Sequence, residues 1–135
     1  MKIRDYVDIF NKYGILDCTL DPDCTDVQFT VTMYKDSDVE IVMDFRDYGG
    51  DDCVCEGEEA IDIQFWISFG MITLWRIRYE DIKEIRDNHK YPELITDAIK
   101  ICHEFEDGYI SRRTRDEEIA ILRNKYYEEG KENGV

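Results

Sequence analysis

Apolar and polar positions recur along this chain with two periods, helical and alternating, and each marks a different kind of element. Ile3, Tyr6, Val7, Phe10 and Tyr13 recur at helical spacing, with Arg4, Asp5, Asp8 and Lys12 on the opposite side. Arg4–Asp8 and Asp8–Lys12 are opposite-charge pairs one turn apart. Gly14 fits a left-handed helix stop, with Ile15 folding back on it. The period then changes to two. Val27, Phe29, Val31 and Met33 alternate with Gln28, Thr30, Thr32 and Tyr34. After the polar turn Lys35-Asp36-Ser37-Asp38, Val39, Ile41, Met43 and Phe45 alternate with Glu40, Val42, Asp44 and Arg46. Two such runs across a short turn predict a β-hairpin with one buried face. A third strand follows at Ile61, Ile63, Phe65, Ile67 and Phe69, set against Asp62, Gln64, Trp66 and Ser68. Gly70-Met71 suits a two-residue turn with glycine first, leading to a fourth strand over Ile72 to Tyr79.

From Glu80 the helical period returns. Ile82 and Ile85 predict a short turn of helix before Asn88-His89. Pro92 suits a helix start, and Leu94, Ile95, Ala98, Ile99, Cys102 and Phe105 form an apolar stripe that stops at Gly108. Thr114-Arg115-Asp116-Glu117 reads as a capping box opening a last helix through Ile119, Leu122 and Tyr126 towards Gly130. Residues 129–135 read as a frayed tail. The expected fold is α+β: a single domain, 1–135, with a four-stranded antiparallel meander, one N-terminal helix, and two to three C-terminal helices packed on one face.

Composition supports a folded chain. At 43% apolar and 13% aromatic, the 135 residues can bury one core, whereas acidity alone would have suggested disorder. The N-terminus turns polar at once, and the run Phe65 to Trp75 is too short to span a bilayer. The expectation is a soluble, cytoplasmic protein. Five cysteines, an odd number, then read as free thiols.

Charge changes the picture most. Residues 17–59 hold fourteen carboxylates against Lys35 and Arg46, a net of −12 out of −15 for the chain. The last twenty-five residues hold six acids and six bases and are neutral. Acidity packed into a third of a small domain defines a surface that repels nucleic acid and membrane phosphates and attracts a basic protein. Residues i and i+2 of a strand lie roughly 6.8 Å apart on one face, close to the spacing of successive phosphates. Asp36, Asp38 and Glu40 follow that spacing, with Asp44 further along. The expected partner-binding set is these four with Asp47, Asp51, Asp52, Glu56, Glu58 and Glu59, flanked by Trp66 and Tyr34 as open-face aromatics. The competing interpretation is a halo of solubilising charge.

Catalytic and metal chemistry find less support. Cys18, Cys24, Cys53 and Cys55 fall in loops and could hold zinc, but Cys-x5-Cys and Cys-x-Cys are not the knuckle spacings that suit tetrahedral geometry. The loop from Asp21 lacks the glycine and glutamate of a calcium-binding EF-hand. Ser37, Ser68 and Ser111 lie outside any nucleophile elbow, His89 and His103 read as surface residues, and Gly49-Gly50 lacks the lysine of a phosphate loop. The pattern predicts neither an enzyme nor a cofactor. Arg76, Arg78, Arg112, Arg113 and Arg115 form the one basic cluster, expected to lie against the domain's own acids rather than to bind nucleic acid directly.

In composition and size the chain resembles the acidic, nucleic-acid-mimicking inhibitors that phages and other mobile elements use against host defences, such as anti-restriction and anti-CRISPR proteins. That resemblance implies a basic, nucleic-acid-binding partner such as a nuclease effector. An immunity protein or antitoxin that neutralises a basic nuclease toxin fits the same charge pattern. A cysteine-based zinc-binding module is the alternative of another class.

Overall fold

The computed structural model describes residues 3–14, 28–47 and 61–133. The elements run α1 (Ile3–Lys12), β1 (Gln28–Asp36), β2 (Val39–Asp47), β3 (Ile61–Phe69), β4 (Ile72–Arg76), α2 (Tyr79–Asn88), α3 (Glu93–Glu106) and α4 (Arg112–Asn133). The strands form one four-stranded antiparallel sheet in the order β1-β2-β3-β4, with one helix before it and three after it. This is the α+β meander that the alternation predicts. No helix among the described residues is long and apolar enough to cross a membrane.

Two compact units divide the chain, residues 1–33 with 42–64 and residues 34–41 with 65–135. The first contains α1, which ends as expected. Gly14 takes a φ of 72°, and its N–H donates to the Asn11 carbonyl at 3.2 Å. A side chain would strain that left-handed position. Phe10, Met33 and Met43 are the buried apolar residues of this unit.

The second unit holds β4 and the three C-terminal helices. Gly70-Met71 makes the expected tight turn, with Gly70 at a φ of 56°. The β3–β4 register pairs Ile67 with Trp75 but Ser68 with Thr73, so Leu74 is an extra residue on β4. This bulge turns both Leu74 and Trp75 inward, where strict alternation would have exposed one of them. Phe69 meets the ring of His103 from α3 at 5.0 Å, and Trp75 meets Tyr126 from α4 at 5.5 Å. Ile67 and Phe69 share a strand face, and Trp75 pairs with Ile67, so α3 and α4 cover the same face of this part of the sheet.

Three boundaries differ from the sequence expectation. β4 stops at Arg76 rather than Tyr79, because the Arg78 N–H donates to the Tyr126 hydroxyl at 2.9 Å instead of to a strand. The chain enters α2 there, a full ten-residue helix that buries Ile82 and Ile85 and ends on a left-handed His89. α4 begins three residues early, since the Ser111 hydroxyl accepts the Thr114 N–H at 3.2 Å and supplies the cap expected of Thr114. It then continues through Gly130 to Asn133, which places residues 129–133 in helix. α3 stops at Gly108 as expected, where φ is 80° and the following N–H of Tyr109 returns to the Glu104 carbonyl.

Charges in these helices are matched locally. Arg115 is 8% exposed, lies 4.4 Å over the Phe105 ring, and pairs with Asp116 at 2.8 Å. Arg113 pairs with Glu117 at 3.0 Å. Arg78, Arg113 and Arg115 of the arginine cluster thus lie against the chain's own acids, and Arg78 and Arg115 also against aromatic rings.

Tyr126 closes the unit. Its hydroxyl donates to Asp81 at 2.5 Å and accepts from the Arg78 backbone, while the Arg78 guanidinium stacks 4.2 Å over its ring and donates to Asp81 at 2.9 Å. Burial first, then the Asp81 carboxylate, pushes its pKa above the ordinary value of 10.0. A phenol neutral in the folded state stabilises fully below pH 10, and that contribution is lost as pH rises through its higher folded-state value. Tyr126→Phe should cost about 1–3 kcal/mol of unfolding free energy near neutrality, because it leaves the Arg78 N–H without its acceptor and takes one of two donors from Asp81. It should also remove part of the alkaline decline, with denaturant midpoints between pH 7 and 11 as the check.

Cys102 is 1% exposed on the α3 stripe, and burial pushes its thiol up to about 11. A short iodoacetamide pulse on native protein, read by peptide mass spectrometry, should leave it unmodified. Denaturant should expose it.

Candidate partner-binding surface

β1 ends at Asp36, Ser37-Asp38 turns the chain, and β2 begins at Val39. Ser37 takes a φ of 53°, the positive first position of a primed hairpin turn. The turn is therefore two residues tighter than the four-residue loop expected, and Asp36 belongs to a strand. Its far side is fixed to β3: the Gly70 N–H donates to the Asp38 carbonyl at 2.7 Å, and the Ser68 hydroxyl donates to the Glu40 carbonyl at 3.4 Å. Asp38 thus lies beside Gly70 and Glu40 beside Ser68. This register puts Val39 and Phe69 on the helix-covered face and Glu40 on the face that Ser68 shares with Trp66.

Tyr34 and Asp36 point the other way. The Tyr91 hydroxyl, just before α3, lies 3.3 Å from that of Tyr34, and the two rings meet edge-on at 6.2 Å. Asp36 also hydrogen-bonds to Tyr91. Burial first, then Tyr34 and Asp36, raises the Tyr91 pKa. Beside them a cavity of about 200 Å³ is lined by Asp36, Asp38, Val39, Phe69, Tyr91 and His103, among others.

The row of carboxylates expected at strand spacing is therefore not formed. Asp36 ends one strand on the α3 side, Asp38 sits in the turn, and Glu40 starts the next strand on the opposite face. A two-residue reversal resets the alternation, so counting i, i+2 through it does not trace one face. Tyr34 is correspondingly not an open-face aromatic, since it packs against Tyr91. Trp66 does keep the expected face. It pairs with Arg76 across β3–β4 and is half-buried. Asp36 and Asp38 are exposed and make no ion pair among the described residues, and Lys35 beside them is exposed.

The remaining candidates are dispersed. Tyr34, Asp36, Asp38, Glu40 and Trp66 belong to the second unit, whereas Asp44, half-buried on β2, belongs to the first. Asp47 closes β2. Asp51, Asp52, Glu56, Glu58 and Glu59 lie outside the described residues, as do Cys18, Cys24, Cys53 and Cys55 of the zinc alternative and the Asp21–Asp26 loop. Among the described residues no group of three His, Cys, Asp or Glu side chains could hold a metal ion. Ser68 and Ser111 use their hydroxyls on backbone groups, and His89 and His103 are exposed. Sequence reasoning missed Tyr91. Its one signal was an aromatic directly before Pro92 and outside the α3 stripe.

Compared with known proteins, the chain matches no family model, no curated protein and no solved structure.

Tyr91 anchors the turn to the start of α3. Tyr91→Phe should lower unfolding free energy by about 0.5–1.5 kcal/mol, the worth of a hydrogen bond partly open to water. Amide exchange at Ser37 and Asp38 should accelerate in the same variant. Unchanged exchange there would mean that the tyrosine pair does not hold the turn.

Proposed function

We propose that this protein binds a basic, nucleic-acid-handling protein and blocks it by occupying its phosphate-binding groove, as anti-restriction and anti-CRISPR inhibitors of the nucleic-acid-mimic type do. The observation that carries the reading is the net charge of −12 concentrated in residues 17–59, against a neutral C-terminal stretch. About a dozen uncompensated charges held in one third of a chain repel one another, and this cost needs a return. A lysine- and arginine-lined groove supplies it, because the acids replace phosphates and release the groove's counterions.

The β1–β2 turn supports the reading locally. Asp36 and Asp38 are exposed without a basic partner among the described residues, on a turn held by the Tyr91–Tyr34 contact and by the Gly70–Asp38 hydrogen bond. Carboxylates on a fixed turn lose less conformational entropy on binding than carboxylates on a loose one. Glu40 and Trp66 share the other face, where the half-buried indole adds a packing contribution that salt does not screen.

The experiment is capture from the source cell or its natural host, identification of the basic protein retained, and competition with nucleic acid on that protein. Pre-binding the inhibitor should prevent DNA or RNA loading, and excess nucleic acid should displace it. A ternary complex of inhibitor, partner and nucleic acid would rule out mimicry. The on-rate should fall steeply between about 50 and 200 mM salt, since exposed charges are screened beyond about 8–10 Å. Charge reversal at Asp36, Asp38, Glu40 and Asp44 together should abolish binding, whereas reversal at Glu117, Glu118 and Glu128 of α4 should leave it nearly intact. Loss of binding from the α4 set alone would place the functional face elsewhere.

A further inference from the structure

The cavity of about 200 Å³ beside the β1–β2 turn has walls of two kinds. Its apolar side is built by Val39 and Phe69 of the sheet and by Ile99 of α3. Thr96, Ile99 and His103 line it from α3 at successive spacings of three and four residues, which puts them on one helix face. Val39 and Phe69 lie on the sheet face that α3 covers, and Phe69 meets the His103 ring there at 5.0 Å. All of these residues belong to the second compact unit.

The other side is acidic. Asp36 and Asp38 line the cavity, are exposed, and have no basic partner among the described residues. No lysine or arginine among the described residues lines it. Two of its hydroxyls are already in use: Thr96 donates to the Pro92 carbonyl at 3.1 Å, and Tyr91 is held by Tyr34 and Asp36. His103, the remaining titratable group, turns its Nδ1 to Glu106 at 3.9 Å. The cavity therefore offers acceptors, and a guest must bring donors and positive charge.

Size and composition narrow the guest. The cavity is smaller than the roughly 300 Å³ at which small-molecule sites begin, which leaves room for one side chain rather than a metabolite. A bare metal ion does not suit it, because no group of three His, Cys, Asp or Glu side chains among the described residues could hold one. Between the two basic side chains the walls decide. Lysine carries a compact, strongly hydrated charge that gains little from aromatic surroundings. A guanidinium is planar and more weakly hydrated, packs on rings such as Tyr91 and His103, and has donors enough for two carboxylates.

We infer that this cavity receives an arginine side chain of the basic partner, with its guanidinium on Asp36 and Asp38 and its methylene stem along Val39, Phe69 and Ile99. The inference rests on the reading of this protein as an inhibitor of a basic protein, and it names the side chain that the acidic turn recognises. The two carboxylates are then the charged rim of a shaped socket. Salt screens their attraction for the guanidinium, while the packing of the stem against the apolar wall is not screened.

NMR titration of the full chain with N-acetyl-arginine amide and with N-acetyl-lysine amide, at constant ionic strength, tests the assignment. Amide shifts at Ser37, Asp38, Thr96 and Ile99 should saturate with the arginine derivative at millimolar concentration, and the lysine derivative should bind at least about threefold more weakly. Asp36→Asn together with Asp38→Asn should weaken the arginine derivative at least about tenfold. Thr96→Arg, at an exposed helical position, places the chain's own guanidinium beside the cavity and should weaken it as much, with the melting temperature held. Glu117→Gln on α4 makes the same change in net charge and should leave binding intact. The inference is overturned if the shifts do not saturate, if the lysine derivative binds equally well, or if either cavity variant binds as the parent does. Because the probe is a free derivative, the two proposals fail separately. A captured partner that nucleic acid displaces, with no arginine binding in the cavity, would end this inference alone. Saturable arginine binding with no such partner would end the inhibitor reading alone.

Discussion

Tyr126 is the group on which the C-terminal half of this protein depends. Three elements reach it through different atoms: the end of β4 through the Arg78 backbone, α2 through Asp81, and the sheet core through the Trp75 ring. There the hydroxyl donates once and accepts once, and the ring packs against an indole and a guanidinium. The geometry explains why the strand ends where it does. A backbone N–H that finds a buried side-chain acceptor no longer needs a neighbouring strand, and the chain is free to turn into a helix. The arrangement also carries a cost. Trp75 is 1% exposed, and its indole Nε1 has no hydrogen-bond partner among the described residues, so its burial rests on packing alone.

The turn between β1 and β2 shows the same logic on the surface. Ser37 occupies a backbone conformation better suited to glycine. It is held there because both flanks are tied down, by Tyr91 against Tyr34 on one side and by Gly70 against Asp38 on the other. Asp36 and Asp38 are therefore presented by a rigid reversal. Their directions differ, and this matters for any partner: the acids offer a corner of negative charge, where an extended strand would have offered a line.

Much of the fold was legible in the sequence because its signals were periodic. The shift from helical spacing to alternation and back located α1, the four strands and α3, and the glycines at 14, 70 and 108 marked turns whose positive φ values require them. What was not legible depended on contacts distant in sequence. The end of β4 is set by Tyr126, forty-eight residues away from Arg78. The start of α4 turned on which of two hydroxyl residues, Ser111 or Thr114, capped it, a choice between two plausible signatures three positions apart. The expected strand spacing of the carboxylates was not met for a third reason. Carboxylate spacing was counted straight through a chain reversal, and the reversal puts Asp36 and Glu40 on opposite faces whichever length the turn takes. Tyr91, which decides where Tyr34 goes, carried no periodic signal.

Paired charge is distributed unevenly among the described residues. In the C-terminal helices, acids have partners close at hand: Asp81 with Arg78, Asp116 with Arg115, Glu117 with Arg113. Such pairs contribute little individually when exposed, but they cancel the local field. At the β1–β2 turn Asp36 and Asp38 have no basic partner among the described residues, although exposed Lys35 is next in sequence to Asp36. A field left uncancelled on a fixed turn is what long-range attraction of a basic surface requires, and α4, with six acids and six bases, adds no net charge to it.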